Sequence, residues 1–257
     1  MSVHPTAVVH SGARIAEGVT IGAYSIIDEH VSIDADTHIG HHCVISGRTR
    51  IGRNNRIWSF VSLGSAPQDK KYRGELTSLE IGDDNTIREF CTFNTGTVQD
   101  VGTTRLGNGN WIMAYVHLAH DCQVGNSTIF ANNSQLAGHV HVGDFAILGG
   151  FTAVHQFVKI GAHSLTAIGT VLLQDLPPFV MVSGNPAATH GINSEGLRRR
   201  DFSADAIEML RRAYKTLYRK GLTLDEAKLA LAALATTSPE VRELLDFLAH
   251  AGRGIVR

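Results

Sequence analysis

One apolar residue recurs at every sixth position through most of the first 172 residues. A helix repeats every 3.6 residues and an isolated strand every two, so a period of six indicates short strands joined by tight corners. The repeat therefore predicts a parallel β-helix built from hexapeptides. Its first frame runs through Val3, Val9, Ile15, Ile21, Ile27, Ile33, Ile39, Ile45, Ile51, Ile57 and Leu63, and a second frame, shifted by one, runs from Leu106 to Leu172.

The repeat also predicts which residues become neighbours in space. Three hexads form one triangular coil of 18 residues, so each residue lies about 4.8 Å from the residue 18 positions further on. Chains with this signature wind left-handed, against the usual right-handed crossover rule. We expect the left-handed β-helix to cover residues 1–190, with loops at 64–80 and 94–105. The first loop returns to the same frame and the second shifts it by one residue.

Residues 191–257 differ from the repeat in both pattern and charge. Ser203, Thr223 and Ser238 each precede an amphipathic run, as the N-cap of a helix does, which predicts a C-terminal helical domain. This segment carries 12 Lys and Arg against 9 Asp and Glu, whereas residues 1–190 carry 11 against 15. The basic excess, which includes Arg198–Arg200, could attract an acidic partner or could simply be a solvated helix face.

The sequence disfavours several classes of protein. No run approaches the roughly 18 apolar residues of a membrane span, and the opening lacks the features of a signal peptide, so we expect a cytoplasmic chain. No phosphate-binding loop, dinucleotide fingerprint or GxSxG motif is present, which leaves nucleotide hydrolysis and acyl-serine chemistry without support. No nucleic-acid partner is expected. Cys43, Cys91 and Cys122 fall at the inward corner position, where we expect structural thiols and no disulfides.

The histidines offer the strongest candidates for chemistry. His120 occupies an outward position of its hexad, and positions 138 and 156 are 18 and 36 residues further along, so Gly138 should lie beside His120. His139 and His155 should share that face. Stacked imidazoles could hold Zn²⁺ with an open position, as in β-helical carbonic anhydrases. Alternatively, one neutral imidazole could be a general base, and the neighbouring Asp121 and the side-chain-free Gly138 favour this second chemistry.

Several motifs resemble those of the UDP-N-acetylglucosamine acyltransferases that begin lipid A synthesis in Gram-negative bacteria. The shared stretches are "PQDKKY" (67–72), "HLAHDCQVGN" (117–126), "LAGHV" (136–140), "VHQF" (154–157), "GINSEGLRRRDF" (191–202) and "RGIVR" (253–257). The hexads alone are common to many acyl- and nucleotidyltransferases. Together these motifs are specific, and the resemblance covers nearly the whole chain.

The resemblance implies transfer of a (3R)-3-hydroxyacyl group from acyl carrier protein to the 3-hydroxyl of UDP-N-acetylglucosamine, in a homotrimer with sites between subunits. It makes His120 the base, Asp121 its orienting partner and the Gly138 N–H the oxyanion donor. It requires no metal and no cofactor beyond the phosphopantetheine of the carrier protein. It places Asp69 and Lys71 at a neighbouring subunit's site, and it places His117, His139, His155, Gln156, Asn193, Glu195 and Arg199 in the substrate pockets.

Two positions bear on specificity. In the resembling family the acyl chain stops at a residue that is glycine in longer-chain members, and Ile168 stands there in this chain. We therefore expect a hydroxyacyl chain of roughly 10 to 12 carbons rather than roughly 14, because overpacking a wall costs more than a methylene gains. Relatives commonly have a histidine where this chain has Asn94, which leaves a 3-amino sugar open as acceptor. A zinc hydratase and a non-catalytic scaffold are the competing functions.

Overall fold

The computed structural model describes residues 2–257 and consists of a long β-helix followed by a small helical domain. Most strands have two residues, and each pairs in parallel with a strand one coil away, as Val3 does with Ile21. Elements are numbered in chain order. The flat faces of the prism are three sheets, called A, B and C, and the predicted parallel β-helix is confirmed.

Within each sheet, successive strands follow one another along the prism. Sheet A contains β1 (Ser2–Val3), β4 (Thr20–Ile21), β7 (His38–Ile39), β10 (Arg56–Ile57), β13 (Thr86–Ile87), β16 (Trp111–Ile112), β19 (Ile129–Phe130), β22 (Ile147–Leu148), β25 (Leu165–Thr166), β27 (Val180–Ser183) and β28 (Ala188–Ile192). Sheet B contains β2 (Val8–Val9), β5 (Ile26–Ile27), β8 (Val44–Ile45), β11 (Ser62–Ser65), β14 (Thr92–Asn94), β17 (His117–Leu118), β20 (Gln135–Leu136), β23 (Ala153–Val154) and β26 (Val171–Leu172). Sheet C contains β3 (Arg14–Ile15), β6 (Ser32–Ile33), β9 (Arg48–Ile51), β12 (Ser78–Ile81), β15 (Thr103–Leu106), β18 (Gln123–Val124), β21 (His141–Val142) and β24 (Lys159–Ile160).

The interior of the prism is filled by the hexad residues. The second residue of most two-residue strands is buried, and the small corner residues close the remaining space. Cys43, Cys91 and Cys122 are buried at such corners as unpaired thiols, as predicted. Burial raises the pKa of the Cys91 and Cys122 thiols to about 12, so both are protonated and poor nucleophiles at neutral pH.

Two loops leave the coils close to the predicted places but are shorter than predicted. They span residues 66–77 and 95–102, because β11, β12 and β15 are four-residue strands that extend the ladder into the expected loop ends. Asn94, at the start of the second loop, donates from Nδ2 to the Ala66 carbonyl at 3.1 Å. Asn94 is buried, and through this contact it holds the start of the first loop against the coil.

The helical domain begins a few residues after the last coil. Strand β28 pairs antiparallel with β27 and runs through the expected domain boundary at residue 190. The helices are α1 (Ser194–Arg198), α2 (Ala204–Tyr218), α3 (Leu224–Ala235) and α4 (Pro239–Ala249). Ser203, Thr223 and Ser238 cap the last three, as predicted, whereas the short α1 was not predicted. Among the described residues, no helix is both long and apolar enough to cross a membrane.

A buried carboxylate and a buried ring join the two domains. Asp175 accepts the backbone N–H groups of Lys159 at 2.8 Å and of Gly252 at 2.9 Å, which ties the C-terminal segment to the last coil. The His163 ring stacks between Phe145 and Phe179, with centroids 4.8 and 5.6 Å away. Burial lowers the pKa of His163 to about 4, so the ring stays neutral at pH 7 and packs as an aromatic side chain.

Candidate active site

A groove of about 490 Å³ runs along sheet B, across the outward faces of its C-terminal strands. Its floor is largely apolar, and its polar groups are concentrated near His120. A groove with few, convergent polar groups is the usual form of a small-molecule site. The lining residues are Gln68, His117, Ala119, His120, Gln135, Leu136, Ala137, Gly138, Ala153, Val154, His155, Val171 and Leu173.

His120 lies at the corner that follows β17 and is held by the next residue. Its Nδ1 is 3.0 Å from Oδ2 of Asp121, and its side chain is 14 % exposed. Because the ionised carboxylate only accepts, Nδ1 carries the hydrogen of the neutral ring and Nε2 keeps its lone pair. This assignment comes from the hydrogen-bond partner. A neutral imidazole with a free Nε2 beside a groove is suited to accept a proton from a hydroxyl.

Asp121 is fully buried, yet its charge is well compensated. The carboxylate accepts from the Thr97 hydroxyl at 2.6 Å, from the Thr97 backbone N–H at 3.0 Å and from the Gly102 N–H at 3.1 Å. These donors lie at the two ends of the loop 95–102, so the same carboxylate that orients His120 also anchors this loop. Buried charges need such partners, and the arrangement keeps the carboxylate in place.

Gly138 lies one coil further along and directly against the His120 ring, as the 18-residue register predicts. A Cβ built on Gly138 would be 2.5 Å from Cε1 and 2.6 Å from Nε2 of His120. No acceptor for the Gly138 N–H occurs among the described residues, whereas its carbonyl accepts from Phe157. An N–H without an acceptor beside a candidate base could bind an oxyanion that develops on a substrate.

His139 packs beside the base without lining the groove. Its ring meets the His120 ring edge to face with centroids 4.8 Å apart, and it stacks on Phe157 at 4.3 Å. Its Nδ1 is 2.6 Å from Oδ2 of Asp100, a residue of the loop 95–102 that the sequence did not single out. No periodic signal marks Asp100, because loop residues do not follow the register of the coils.

His117 and His155 line the groove on either side of His120. His117 hydrogen-bonds through Nδ1 to the Thr92 hydroxyl at 2.8 Å. Burial lowers the pKa of His117, and the neighbouring His120 lowers it further, so His117 is neutral at pH 7. His155 is exposed, and Gln156 beside it is exposed and lies outside the groove lining.

The loop 66–77 contributes a different residue from those predicted. Gln68 lines the groove, whereas Lys71 is exposed and lies outside the lining, as does Asp69. The Asp69 carboxylate accepts the Lys71 backbone N–H at 2.9 Å and so shapes the loop. Within one chain, the structure does not bring Asp69 and Lys71 to His120.

The three candidates near the helical domain also lie outside the groove of their own chain. Asn193 caps α1 by accepting the Gly196 N–H at 3.1 Å, and its Nδ2 donates to the His163 carbonyl at 3.0 Å. Glu195 is exposed and pairs with Arg198 at 2.8 Å and with Arg199 at 3.2 Å. These ion pairs neutralise part of the basic run that the sequence emphasised.

Ile168 lies at the edge between sheets A and B, outside the groove lining, and is 75 % exposed in the single chain. Instead, Val171 and Leu173 stand at the C-terminal end of the groove. Both belong to or follow β26, the next strand after Ile168. Sequence reasoning missed these two residues, although outward apolar positions of the same coil could have identified them.

His120, Asp121 and His139 present three potential metal ligands within 4.8 Å of one another. Their present partners fit a metal poorly. Both imidazoles direct Nδ1 towards carboxylates, and both oxygens of Asp121 already accept hydrogen bonds from the loop 95–102. A zinc ion would have to replace these N–H and O–H donors, so the donor set favours an orienting carboxylate over a ligand.

Comparison with known proteins gives a consistent result. Residues 175–256 match the family model described as "Udp N-acetylglucosamine O-acyltransferase; Domain 2", and residues 103–138 match "Bacterial transferase hexapeptide (six repeats)". The acyl-[acyl-carrier-protein]–UDP-N-acetylglucosamine O-acyltransferase of Thiobacillus denitrificans is 66% identical over 256 residues, covering 100% of this chain and 99% of the relative.

A second relative of the same name, from Albidiferax ferrireducens, is 63% identical, with 100% of this chain and 99% of the relative covered. Among solved structures, the UDP-N-acetylglucosamine O-acyltransferase of Moraxella catarrhalis superposes with a TM-score of 0.98 at 46% identity, covering 100% of both chains. Both the sequence and the coil geometry are therefore similar to these enzymes over their full length.

Proposed function

This chain belongs to the UDP-N-acetylglucosamine O-acyltransferase family, and on that premise we propose that it transfers an (R)-3-hydroxyacyl group from acyl carrier protein to the 3-hydroxyl of UDP-N-acetylglucosamine. This is the first step of lipid A biosynthesis. The observation that carries the proposal is the pairing of His120, fixed by Asp121, with the free N–H of Gly138 at the edge of the groove. That arrangement is suited to acyl transfer to an alcohol.

In the proposed reaction, Nε2 of His120 removes the proton of the sugar 3-hydroxyl as its oxygen attacks the thioester carbonyl. Asp121 stabilises the imidazolium that forms, and the Gly138 N–H donates to the oxyanion of the tetrahedral intermediate. The intermediate then expels the phosphopantetheine thiolate, which takes the proton back from His120. No metal or resident cofactor enters these steps, because the phosphopantetheine arrives with the carrier protein.

Mass spectrometry of the product tests this function. The purified protein is incubated with UDP-N-acetylglucosamine and a mixture of hydroxyacyl-acyl-carrier-protein thioesters, and the expected product is the nucleotide sugar with one hydroxyacyl ester. Acylation of a 3-amino analogue in preference to the 3-hydroxyl would correct the acceptor. Absence of any acylated sugar, together with one zinc ion per chain, would favour a zinc hydratase instead.

The assembly we propose is a homotrimer with the edge between sheets A and B at its centre. Along that edge runs a ladder of stacked rings, with successive centroids 4.8 to 5.2 Å apart: Tyr24, His42, Phe60, Phe90 and Tyr115. Several of these rings are about half exposed in the single chain, as is Trp111 on sheet A. By contrast, sheet C presents Arg50 paired with Asp34 and Arg105 paired with Glu80, which suits contact with solvent.

Association around this edge would cover the aromatic ladder and bring further side chains to each groove. Asp69, Lys71, Asn193, Glu195 and Arg199 would then act at the groove of a neighbouring subunit, which explains why they lie away from their own. Light scattering should give about 83 kDa, three times the 27.7 kDa of the chain. A fully active species of one chain mass would contradict the shared site.

The acyl-chain preference provides a further test of the proposed site. We expect donors of roughly 10 to 12 carbons to be preferred over roughly 14, because forcing methylenes against a packed wall costs about 1 to 3 kcal/mol and each fitting methylene contributes about 0.8. Ile168→Gly should move the optimum to longer chains in an assay with donors of graded length. Leu173→Ala is the matched comparison, since Leu173 lines the groove end. A shift in Leu173→Ala alone would move the ruler to that residue.

A further inference from the structure

A second imidazole–carboxylate pair lies next to the proposed base and has no part in the proposed proton transfer. Nδ1 of His139 is 2.6 Å from Oδ2 of Asp100. The His139 side chain is 11 % exposed, whereas that of Asp100 is 36 % exposed, on the outer part of the loop 95–102. A contact this short between an imidazole N–H and a carboxylate is a charge-assisted hydrogen bond, which is stronger than a neutral one.

The two histidines face the same carboxylate oxygen. Oδ2 of Asp121 is 3.0 Å from Nδ1 of His120 and 3.8 Å from Nδ1 of His139. The first distance is a hydrogen bond, and the second is too long for one. With the ring centroids 4.8 Å apart, a small rotation of the His139 ring would bring its N–H to the oxygen that orients the base.

Asp100 prevents this competition by giving the His139 N–H an acceptor of its own. Its position suits that purpose, because the ends of the loop are fastened separately through Thr97 and Gly102, which donate to Asp121. Removing the Asp100 carboxylate would therefore free His139 while leaving both ends of the loop anchored. His139 is also stacked on Phe157, which limits its motion to rotation within a narrow slot.

We propose that Asp100 is a positioning residue for the acyl transfer, which keeps His139 from competing with His120 for Asp121. The inference rests on the proposed function, since it assigns a means of keeping the proposed base oriented. Asp100 acts through His139 and touches neither substrate. Its loss should therefore affect turnover and leave substrate affinity nearly unchanged.

Steady-state kinetics of three variants test the proposal. Asp100→Ala should lower kcat by about 3- to 10-fold with both KM values within twofold, because the base is misaligned in only part of the molecules. Asp100→Asn should recover most of kcat, since its amide oxygen can still accept the His139 N–H. In a His139→Phe background, which keeps a ring against Phe157 but removes the donor, Asp100→Ala should have no further effect.

The double-variant comparison separates this mechanism from a merely structural role of the loop. An equal loss of kcat in the His139→Phe background would overturn the proposal, as would an unchanged kcat in Asp100→Ala. Nitrogen NMR of ¹⁵N-histidine-labelled protein gives a reading that does not depend on activity. It should show His120 protonated at Nδ1 in the intact protein, with that signal altered in Asp100→Ala. If the intact protein transfers no acyl group, the proposed function fails, and an unaltered His120 signal in the variant would then also reject the positioning.

Discussion

Replacing His120 by alanine should lower kcat by about 10²- to 10⁴-fold, the usual loss when a general base is removed. No other group in the described groove can take over. His117 already uses Nδ1 with Thr92, and Asp121 is buried and engaged by the loop 95–102. The KM for UDP-N-acetylglucosamine should change by only a few-fold, because the interaction that is lost strengthens in the transition state.

A matched control is His38→Ala, which removes an exposed histidine of sheet A that hydrogen-bonds to Thr20 and lies far along the prism from the groove. We expect its turnover to remain within twofold of the parent enzyme. Both variants should unfold at the same temperature as the parent, since neither side chain is part of the interior. A His120→Ala enzyme with near-native turnover would show that another group accepts the proton.

The neighbours of His120 were predictable because the fold converts sequence spacing directly into distance. His117 pairs in register with Gln135, and Gln135 with Ala153, each 18 residues further on. The frame shift was informative in the same way. Arg56 aligns with Thr86 and Thr86 with Trp111, so the two loops add 12 and 7 residues to the 18 of a coil. The first addition is a multiple of six and the second exceeds one by a residue, as the sequence indicated.

What the sequence could not provide lies where this register stops. Gln68 reaches the groove, and Asp100 reaches His139, from loops whose path depends on a few side-chain contacts. The two ends of the second loop are fixed by a carboxylate that the sequence assigned only to His120. Residues that act across a subunit boundary are a separate case, because a periodic pattern in one chain contains no information on where a second chain is placed.

Gly138→Ala should reduce kcat by about 10²-fold, although alanine is normally a mild replacement for glycine. The added methyl group would stand 2.5 Å from Cε1 and 2.6 Å from Nε2 of His120, far inside van der Waals contact. The imidazole is the part that can yield, because it is 14 % exposed and attached by one hydrogen bond, whereas the coil backbone is fixed by its ladder. A displacement of about 1 Å at a reacting group can cost about 10²-fold in rate.

The comparison that isolates this clash is Gly150→Ala, at a corner of the next coil, where an added Cβ would meet its nearest atoms at ordinary distances of 3.4 and 3.9 Å. Neither glycine has a positive φ, so neither substitution strains the backbone. We expect Gly150→Ala to retain turnover within twofold and both variants to keep the parent unfolding temperature within a few degrees. Loss of activity in Gly138→Ala with an unmoved His120 ring in a crystal structure would assign the effect to the oxyanion contact. Full activity would mean that neither the ring position nor the Gly138 N–H limits the reaction.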